Sequence, residues 1–329
     1  MAYDISVIIP VYNSERYLSN CFNQLNAQSL AHVSLEIIFI DDGSRDGSLS
    51  MLKRYAKGKT NVKVIHQVNK KQAEARNTGL RAASGTFVAF VDSDDTFSKE
   101  YFNELFKQSF EADLVISGIK RVFADHTDEL GVACFEGLKN SDQIVQKYAS
   151  GNTELDAGVW SKLYRREFLI RNSIQFKNEN FFEDSFFNLQ VITHVNPHDI
   201  RYIHRCYYTL VKQVGSTTTQ YNSEIDRLAQ RYICLCEDYL QKNGVSERTV
   251  TIAIKSLRTR TVIHVIHHHI KYDQNIDRYP IKKIIKHNVK MSDVFWNNLP
   301  KSYRVALLML RFLPSLYCYI YRLEKVGKK

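Results

Sequence analysis

Residues 86–98 read "TFVAFVDSDDTFS", an apolar run that leads directly into a cluster of carboxylates. Its first six residues have the aromatic and β-branched composition of a buried strand. Three carboxylates, Asp92, Asp94 and Asp95, follow within four positions. Like charges this close repel one another unless a cation or water lies among them. A solvated turn that caps a helix would account for them, because Asp and Ser favour both positions. A metal site is the alternative.

Three more short apolar runs have the composition of strands: "ISVIIP" (5–10), "LEIIFI" (35–40) and "VKVIH" (62–66). Apolar residues at helical spacing predict helices over 15–28, around 48–56 and over 72–83. Strands that alternate with helices in this way form a parallel sheet with helices on both faces. The predicted fold class is therefore α/β.

The residues that follow these strands favour the metal site. In open α/β sheets, ligands bind outside the carboxyl ends of the strands. Residues 10–13 ("PVYN") end the first strand, residues 41–44 ("DDGS") the second and residues 92–95 ("DSDD") the fourth. Acidic groups from two strands and an aromatic ring from a third thus converge on one edge. Unrelated solvated turns would not coincide like this, so we predict a binding site there.

The chemistry of this edge fits a nucleoside diphosphate with its metal. The sequence has neither a G-x-G-x-x-G after the first strand nor a G-x-x-x-x-G-K-[ST] loop. An anionic edge repels phosphate unless a hard divalent cation bridges them, and Asp94 with Asp92 suits Mg²⁺ or Mn²⁺. Asp92 also suits a ribose hydroxyl. Asp41 suits a base N–H, and Tyr12 suits stacking on the base. A diphosphate leaving group implies a transfer reaction.

Five stretches then resemble the family 2 glycosyltransferases of the GT-A fold, in order and with the expected spacing over about residues 4–215. They are "SVIIPVYNSERYLSNCFNQLNAQ", "EIIFIDDGSRDGS", "ARNTGLRAASGTFVAFVDSDD", "VWSKLYRREFL" and "FFEDSFFN". The resemblance implies a Rossmann-like, mostly parallel sheet. It also implies inverting transfer of a sugar, hexosyl or N-acetylhexosaminyl, from a UDP-sugar to a hydroxyl of a glycan acceptor.

The resemblance also implies roles for particular residues. The D-x-D motif, Asp92-Ser93-Asp94, holds the metal, Asp41 reads the uracil, and Arg76 lies near the donor phosphates. The remaining donor contacts fall on the end of the first strand, at Pro10, Tyr12 and Asn13.

The catalytic base is expected in "FFEDSFFN" (181–188). Inverting transfer needs a carboxylate that takes the acceptor proton as the hydroxyl attacks. In the family this is the aspartate of the E-D pair, here Asp184. The surrounding phenylalanines would desolvate it and the neighbouring charge of Glu183 would repel its own, so both raise its pKa. The alternative is a carboxylate that serves only the start of a helix.

The acceptor side is less clearly marked in the sequence. Trp160 suits stacking on an acceptor sugar and Lys162 suits a phosphate, but a core Trp and a solvated Lys fit the pattern nearly as well. Residues 206–219 ("CYYTLVKQVGSTTT") depart from the family pattern, which often has an aromatic-x-Arg before the serines. Lys212 is the nearest cation there and the candidate for a diphosphate contact.

Composition limits the remaining classes. The chain has 329 residues, 44% apolar and 24% charged, which is ordinary for a globular protein and excludes disorder. Its six cysteines are scattered without CxxC or zinc spacing, so we expect them reduced. A strand begins almost at the first residue, leaving no room for a signal peptide, and no uncharged run reaches the roughly 18 residues that span a bilayer. We expect a cytoplasmic protein.

The charge distribution divides the chain. Residues 241–329 hold 18 Lys and Arg against 5 Asp and Glu, a net charge of +13, whereas residues 1–240 carry −3. We expect a GT-A catalytic domain at about 1–220, with nucleotide-sugar binding in 1–95 and the acceptor side in 96–220. A basic helical region at 221–329 follows. Two alternatives stay open. A nucleotidyltransferase would have a basic, glycine-rich loop after the first strand, which this sequence lacks. A nucleic-acid-binding protein would use the basic region for phosphate contacts, but the sequence has no recognised nucleic-acid-binding motif.

The last 29 residues, "KSYRVALLMLRFLPSLYCYIYRLEKVGKK", have a basic stripe beside an apolar face. Lys301, Arg304 and Arg311 share one helical arc with Arg322 and Lys325. This pattern is typical of a helix lying in an anionic membrane surface. We expect a protein peripheral to the inner face of the cell membrane, with a lipid-linked or otherwise membrane-associated acceptor and no nucleic acid partner. Packing on residues 221–300, or a homo-oligomer, is the alternative.

Overall fold

The protein is described by a computed structural model over residues 3–31, 33–123, 125–151, 153–177, 182–211, 221–272 and 299–326. Its first seven elements are β1 (Ile5–Val11), α1 (Glu15–Asn26), β2 (Leu35–Asp41), α2 (Ser48–Ala56), β3 (Val62–His66), α3 (Lys71–Ala82) and β4 (Phe87–Phe90). The four strands lie parallel in the order β3-β2-β1-β4. The α/β fold class and the strands and helices predicted for this region are confirmed.

The sheet continues beyond β4 as a mixed sheet. The next elements are β5 (Thr96–Phe97), α4 (Tyr101–Lys107), β6 (Leu114–Val122), β7 (Thr127–Leu130), α5 (Ser141–Gly151), α6 (Glu154–Ala157), β8 (Lys162–Arg165), α7 (Arg166–Arg171), α8 (Glu183–His194) and β9 (Ile200–Val211). The full strand order is β3-β2-β1-β4-β8-β6-β9-β5, with β7 on β6. Strand β8 is antiparallel to both β4 and β6, while β9 is parallel to β6.

Small residues let α3 approach the parallel strands closely. Strands β1 and β2 are buried almost throughout, as continuous apolar runs in a covered parallel sheet should be. A Cβ on Gly79 of α3 would lie only 2.3 Å from the Ile8 side chain of β1. Only glycine therefore allows α3, which also carries Arg76, to pack this closely on β1.

The chain forms two compact units. The first comprises Met1–Val122, Thr127–Ser141 and Thr153–Val211, and the second comprises Phe123–His126, Asp142–Asn152 and Lys212–Lys329. The predicted limits of the catalytic domain and the basic region, 1–220 and 221–329, stay a prediction.

The second unit is helical where the structure describes it. Its long helices are α9 (Ile225–Lys242), α10 (Glu247–Tyr272), α11 (Lys301–Phe312) and α12 (Pro314–Val326). Leu307 and Leu310 of α11 pack in one cluster with Ile263, Ile266 and Ile270 of α10. Across the described residues, every helix is either too short or too polar to cross a lipid bilayer.

Candidate active site

At the carboxyl ends of β1, β2 and β3, the buried carboxylate of Asp41 lies beside the exposed imidazole ring of His66. The register puts Val11 opposite Asp41 and Asp41 opposite His66. Asp41 is fully buried, and its Oδ2 lies 2.6 Å from Nδ1 of His66. Its Oδ1 has no hydrogen-bond partner within the part of the chain that the structure describes. A buried oxygen without a partner is costly, so this atom is suited to a donor brought by a ligand.

The loop after β1 is fixed to the loop after β2. Asn13 adopts a positive φ of 48°, and its Oδ1 accepts a hydrogen bond from the backbone N–H of Arg45 at 2.8 Å. Its own N–H donates to Oγ of Ser44 at 3.0 Å. Pro10 lies in β1 opposite Ile40, and the Tyr12 side chain remains 47% exposed. The predicted donor residues of β1 and β2 thus share one edge of the sheet.

A glycine closes the loop after β2 onto the loop after β3. Gly43 has a φ of 77°, and a Cβ there would lie 2.8 Å from the backbone nitrogen of Asn69. Asp42 is buried and accepts hydrogen bonds from Nε2 of Gln67 and the N–H of Lys70. This second carboxylate after β2 therefore organises loops.

The acidic loop after β4 combines buried and open carboxyl groups. Asp95 and Ser93 are buried, Asp92 is partly exposed, and Asp94 reaches solvent. Oδ1 of Asp92 accepts hydrogen bonds from the Gln72 side chain at 3.1 Å and from Arg76 at 2.9 Å. The surrounding loop partly desolvates the Asp94 carboxyl and the charge of Asp92 repels it, so the pKa of Asp94 is raised above its ordinary value.

Arg76 joins this loop to α8. Its side chain is only 1% exposed, and its guanidinium contacts Asp92 at 2.9 Å and Asp184 at 2.5 Å. Burial alone lowers the pKa of an arginine, but Asp184 and then Asp92 outweigh it and raise the pKa of Arg76, so it stays charged. Buried charges persist when they are paired in this way. The structure therefore brings together three predicted site residues that are distant in sequence.

Asp184 stands in the first turn of α8, 29% exposed. Although its side chain reaches solvent, its carboxyl is surrounded by protein atoms, and this desolvation raises the pKa of Asp184 to about 7. Arg76 acts against the shift, whereas Glu183 and Asp92 add to it. The direction is the one expected from the sequence. Oε2 of Glu183 is buried and has no hydrogen-bond partner among the described residues.

The acidic loop fits a divalent cation that is completed by phosphate. No group of three or more His, Cys, Asp or Glu side chains with the arrangement of a metal site occurs within the described ranges. Asp92 and Asp94 supply carboxylate oxygens, and their mutual repulsion is the kind a cation relieves. Magnesium and manganese sites commonly use one or two carboxylates plus substrate phosphates. The residues present fit such an open site.

Two predicted acceptor residues lie inside the protein, which corrects their assignment. Trp160 is only 7% exposed, and its ring stacks on that of Tyr208 with 5.9 Å between centroids. Lys162 is buried, and its ammonium donates to the backbone carbonyls of Leu155 and Gly158, both at 2.5 Å. Neither side chain is free to meet a sugar or a phosphate, because packing and hydrogen bonds already occupy them. The third candidate, Lys212, lies outside the described residues.

Sequence reasoning missed Gln72, Asn188 and Tyr208. Gln72 lies one turn before Arg76 on α3 and binds the same Asp92 oxygen. Asn188 lies one turn after Asp184 on α8 and donates to the carbonyls of Ala157 and Gly158. The helical spacing of each polar residue from a predicted site residue was the available signal. For Tyr208, the period-two pattern of "CYYTL" indicates only that the side chain faces the core.

The strand ends of this α/β sheet thus gather a buried carboxylate, an acidic loop and an arginine paired with carboxylates. Residues 6–172, about half of the chain, match the family model described as Glycosyl transferase family 2. The chain belongs to that family, as the sequence motifs predicted.

Curated relatives are similar over part of their length. The chain is 34% identical over 190 residues to the uncharacterized glycosyltransferase EpsJ of Bacillus subtilis, a match that covers 56% of this chain and 55% of EpsJ. It is 29% identical over 269 residues to the putative glycosyltransferase EpsH of the same organism, covering 79% and 74%. The chain thus spans only about half of EpsJ.

Solved structures share the fold. A crystal structure of residues 1–349 of Staphylococcus aureus TarS, in complex with UDP-GlcNAc, aligns with a TM-score of 0.68 and 21% identity. The alignment covers 99% of this chain and 92% of that one. Identity at this level establishes the GT-A fold alone.

Proposed function

We propose that the protein is an inverting, metal-assisted glycosyltransferase that moves a sugar from a UDP-sugar to a hydroxyl of a glycan acceptor. The observation that carries this proposal is the pair of contacts made by Arg76. One guanidinium touches both Asp92 of the donor loop and Asp184 at the start of α8. Donor residues and a candidate base therefore lie within one side chain's reach of each other, as a transfer reaction requires.

The donor is held at the ends of the parallel strands. Oδ1 of Asp41, buried and without a partner among the described residues, accepts the N3–H of uracil, and the exposed ring of Tyr12 stacks on the base. TarS, a curated poly(ribitol-phosphate) β-N-acetylglucosaminyltransferase that is 28% identical over 220 residues, supports a UDP-sugar donor and a hexosyl or N-acetylhexosaminyl group. Asp92 and Asp94 would hold Mn²⁺ or Mg²⁺, which would offset the negative charge of the diphosphate.

Asp184 removes the acceptor proton. The acceptor hydroxyl attacks the anomeric carbon from the face opposite the diphosphate, and its proton passes to the Asp184 carboxylate as the new C–O bond forms. The bond to the diphosphate breaks, UDP leaves and the anomeric configuration inverts. A base with a pKa of about 7 is well matched to this task near neutral pH. Glu183, with a buried oxygen that has no partner in the described ranges, helps to orient the acceptor hydroxyl.

A screen of nucleotide-sugars tests this proposal. Many transferases hydrolyse their donor slowly without an acceptor, so UDP release in the presence of Mn²⁺ reports donor choice. We expect release from at least one UDP-sugar and its loss on addition of EDTA. If only non-uridine donors are hydrolysed, the assignment of Asp41 is wrong. If no nucleotide-sugar is hydrolysed or raises the melting temperature, the proposed function fails.

The acceptor proposal rests on the surface of α11 and α12. Leu307 and Leu310 face α10, yet both helices also expose apolar side chains on another face. These are Val305, Leu308, Phe312, Leu313, Leu316, Tyr319 and Ile320. The expected packing against residues 221–300 therefore accounts for only part of the apolar surface.

An anionic membrane is the partner that fits this face. Lys301 and Arg311 are exposed on α11, and residues 301–321 contain no acidic residue. Cations beside an apolar face add attraction of about 1 kcal/mol each at an anionic leaflet. We place the protein on the inner face of the cell membrane, where a lipid-linked glycan acceptor would lie.

Vesicle flotation separates a membrane from a second copy of the chain. We expect wild-type protein to float with phosphatidylglycerol vesicles at low salt and not with phosphatidylcholine vesicles. Phe312→Asp should lose flotation, whereas Phe110→Asp, at a 79% exposed phenylalanine outside α11 and α12, should keep it. Wild-type protein that ignores anionic vesicles, and whose dimer in light scattering is broken by Phe312→Asp, would assign this face to self-association.

A further inference from the structure

A tyrosine on β9 forms hydrogen bonds to both ends of the acidic loop, residues 92–95. The hydroxyl of Tyr208 on β9 accepts a hydrogen bond from the N–H of Asp92 at 3.1 Å and donates to Oδ2 of Asp95 at 2.8 Å. Three other strands separate β4 from β5 in the sheet order, and β5, which follows the loop, pairs with β9. One hydroxyl therefore binds the first and the last residue of the acidic loop and uses both its donor and an acceptor position.

Tyr208 is itself held by aromatic packing. Its side chain is completely buried, and the rings of Trp160 and Phe97 lie nearly parallel to it, at interplanar angles of 11° and 17°. Buried aromatic pairs have defined geometry, so these contacts fix the direction of the hydroxyl. Trp160 thereby helps to hold the Tyr208 hydroxyl in the position from which it contacts Asp92 and Asp95.

The segment that precedes Trp160 is held by polar side chains. A Cβ on Gly158 would lie 2.3 Å from the indole ring, so the chain must be glycine where the ring crosses it. The Gly158 carbonyl accepts hydrogen bonds from Nζ of Lys162 at 2.5 Å and from Nδ2 of Asn188 at 2.9 Å. A buried ammonium and a buried amide thus fix the segment that carries the tryptophan.

We propose that Tyr208 is a positioning residue that preorganises Asp92 and Asp94 for the cation and donor diphosphate, and that Trp160 and Lys162 act through it. This inference rests on the proposed function. The loop needs these hydrogen bonds because the carboxylates of residues 92–95 repel one another before a cation binds. A loop held in place loses less entropy on binding, and groups behind metal ligands commonly affect metal affinity strongly.

Tyr208→Phe removes the hydroxyl and keeps the stacked ring. Tyr101→Phe is the matched control. Tyr101 is equally buried and lies 5.5 Å from Tyr208 between ring centroids, and its hydroxyl is not hydrogen-bonded to residues 92–95. Calorimetric titration of Mn²⁺ and UDP into each full-length protein measures binding directly, without a need for turnover.

We expect Tyr208→Phe to weaken Mn²⁺-dependent UDP binding by about 10- to 100-fold, and Tyr101→Phe to leave it near the wild-type value. Excess Mn²⁺ should restore UDP binding to Tyr208→Phe, a rescue that general loss of packing would not produce. Trp160→Phe, which shortens the stack, should give a smaller loss in the same direction and supports the same conclusion if Tyr208→Phe does not fold.

Wild-type binding by Tyr208→Phe would overturn the inference and leave the proposed function standing. Equal losses in Tyr208→Phe and Tyr101→Phe would also overturn it, because the effect would then come from packing. Failure of the wild-type protein to bind UDP in the presence of Mn²⁺ would remove the proposed function itself and the inference with it. The three results are distinct in the same set of titrations.

Discussion

Two polar side chains at the strand ends of the parallel half of the sheet (residues 5–95) and two buried ones in the mixed half (residues 96–211) use their hydrogen bonds in opposite ways. In the parallel half, Oδ1 of Asp41 lacks a partner among the described residues and Asp94 reaches solvent. In the mixed half, Lys162 donates to two backbone carbonyls and the Tyr208 hydroxyl bonds to Asp92 and Asp95. The first arrangement leaves bonds for a ligand, and the second uses them within the protein.

This difference separates two kinds of work. Polar groups with unused hydrogen bonds at strand ends are suited to binding, whereas groups whose bonds are satisfied internally hold other residues in place. Asp184 and Glu183 depart from this in the mixed half: Asp184 is partly exposed and faces the donor loop through Arg76, and Oε2 of Glu183 has no partner among the described residues. We therefore expect variants of the parallel half to affect donor binding and variants of Asp184 to affect the reaction.

The largest expected effect is that of Asp184→Asn. An amide cannot accept the acceptor proton, so turnover should fall by about 10²- to 10⁴-fold. Binding of UDP with Mn²⁺, measured by calorimetry, should remain near the wild-type value. Asp238→Asn, at an exposed site on α9, is the control for a neutralised carboxylate. Loss of UDP binding in Asp184→Asn would place this residue with the donor and move the base elsewhere.

Asp94→Asn should differ from Asp184→Asn in its effect on UDP binding. The amide keeps the shape of the carboxylate but loses its charge, so Mn²⁺-dependent UDP binding should weaken and turnover should fall by about 10²- to 10³-fold. EDTA should do the same to the wild-type protein. Glu111→Gln, which neutralises an exposed carboxylate outside the loop, should change neither quantity. Full activity in EDTA would refute the metal and leave the transferase standing.

The pH dependence of turnover distinguishes the two carboxylates further. Asp184 must be deprotonated to act as a base, and its pKa is raised to about 7. Turnover at saturating substrate should therefore fall on the acid side of about pH 7, approaching tenfold per unit, and level off above it. UDP release measured from about pH 5.5 to 8.5 gives this profile. A profile that stays flat to pH 5.5 would show that no group with this pKa controls the reaction.

The smallest expected effect is a change in the stability of the fold. Lys162→Met removes the donor to two buried carbonyls, so the free energy of unfolding should fall by about 1–3 kcal/mol. Lys53→Met, at an exposed lysine on α2, should change it by less than about 0.5 kcal/mol. Urea denaturation measures both. Equal stability of the two variants would mean that Lys162 does not hold residues 155–158.

Topology explains why the parallel half was predictable from sequence. Once strands alternate with helices, their carboxyl ends must share one edge, and the structure has Val11, Asp41 and His66 side by side there. Polar residues at those ends can be assigned without knowledge of tertiary contacts. The α/β class, the early strands and the convergence of the acidic loop were therefore available from spacing alone.

The mixed half was not predictable, because its side chains are placed by strand pairings between residues that are distant in sequence. Strand β8 inserts between β4 and β6, and β9 pairs with both β6 and β5 after a register shift. Nothing in the local sequence of Trp160 tells that Tyr208 will lie against its ring. Lys162 likewise looks like a ligand-binding cation until the carbonyls of the preceding loop surround it. Side chains whose roles depend on non-local strand pairing were assigned wrongly or missed.

The anomeric configuration of the released sugar tests the central claim most directly. Proton NMR follows wild-type protein with Mg²⁺ and an α-linked UDP-sugar, at enough enzyme that release outpaces mutarotation. Attack from the face opposite the diphosphate predicts that the β-anomer appears first and that EDTA abolishes its formation. An α-anomer as first product, or no sugar release from any UDP-sugar, would contradict the account.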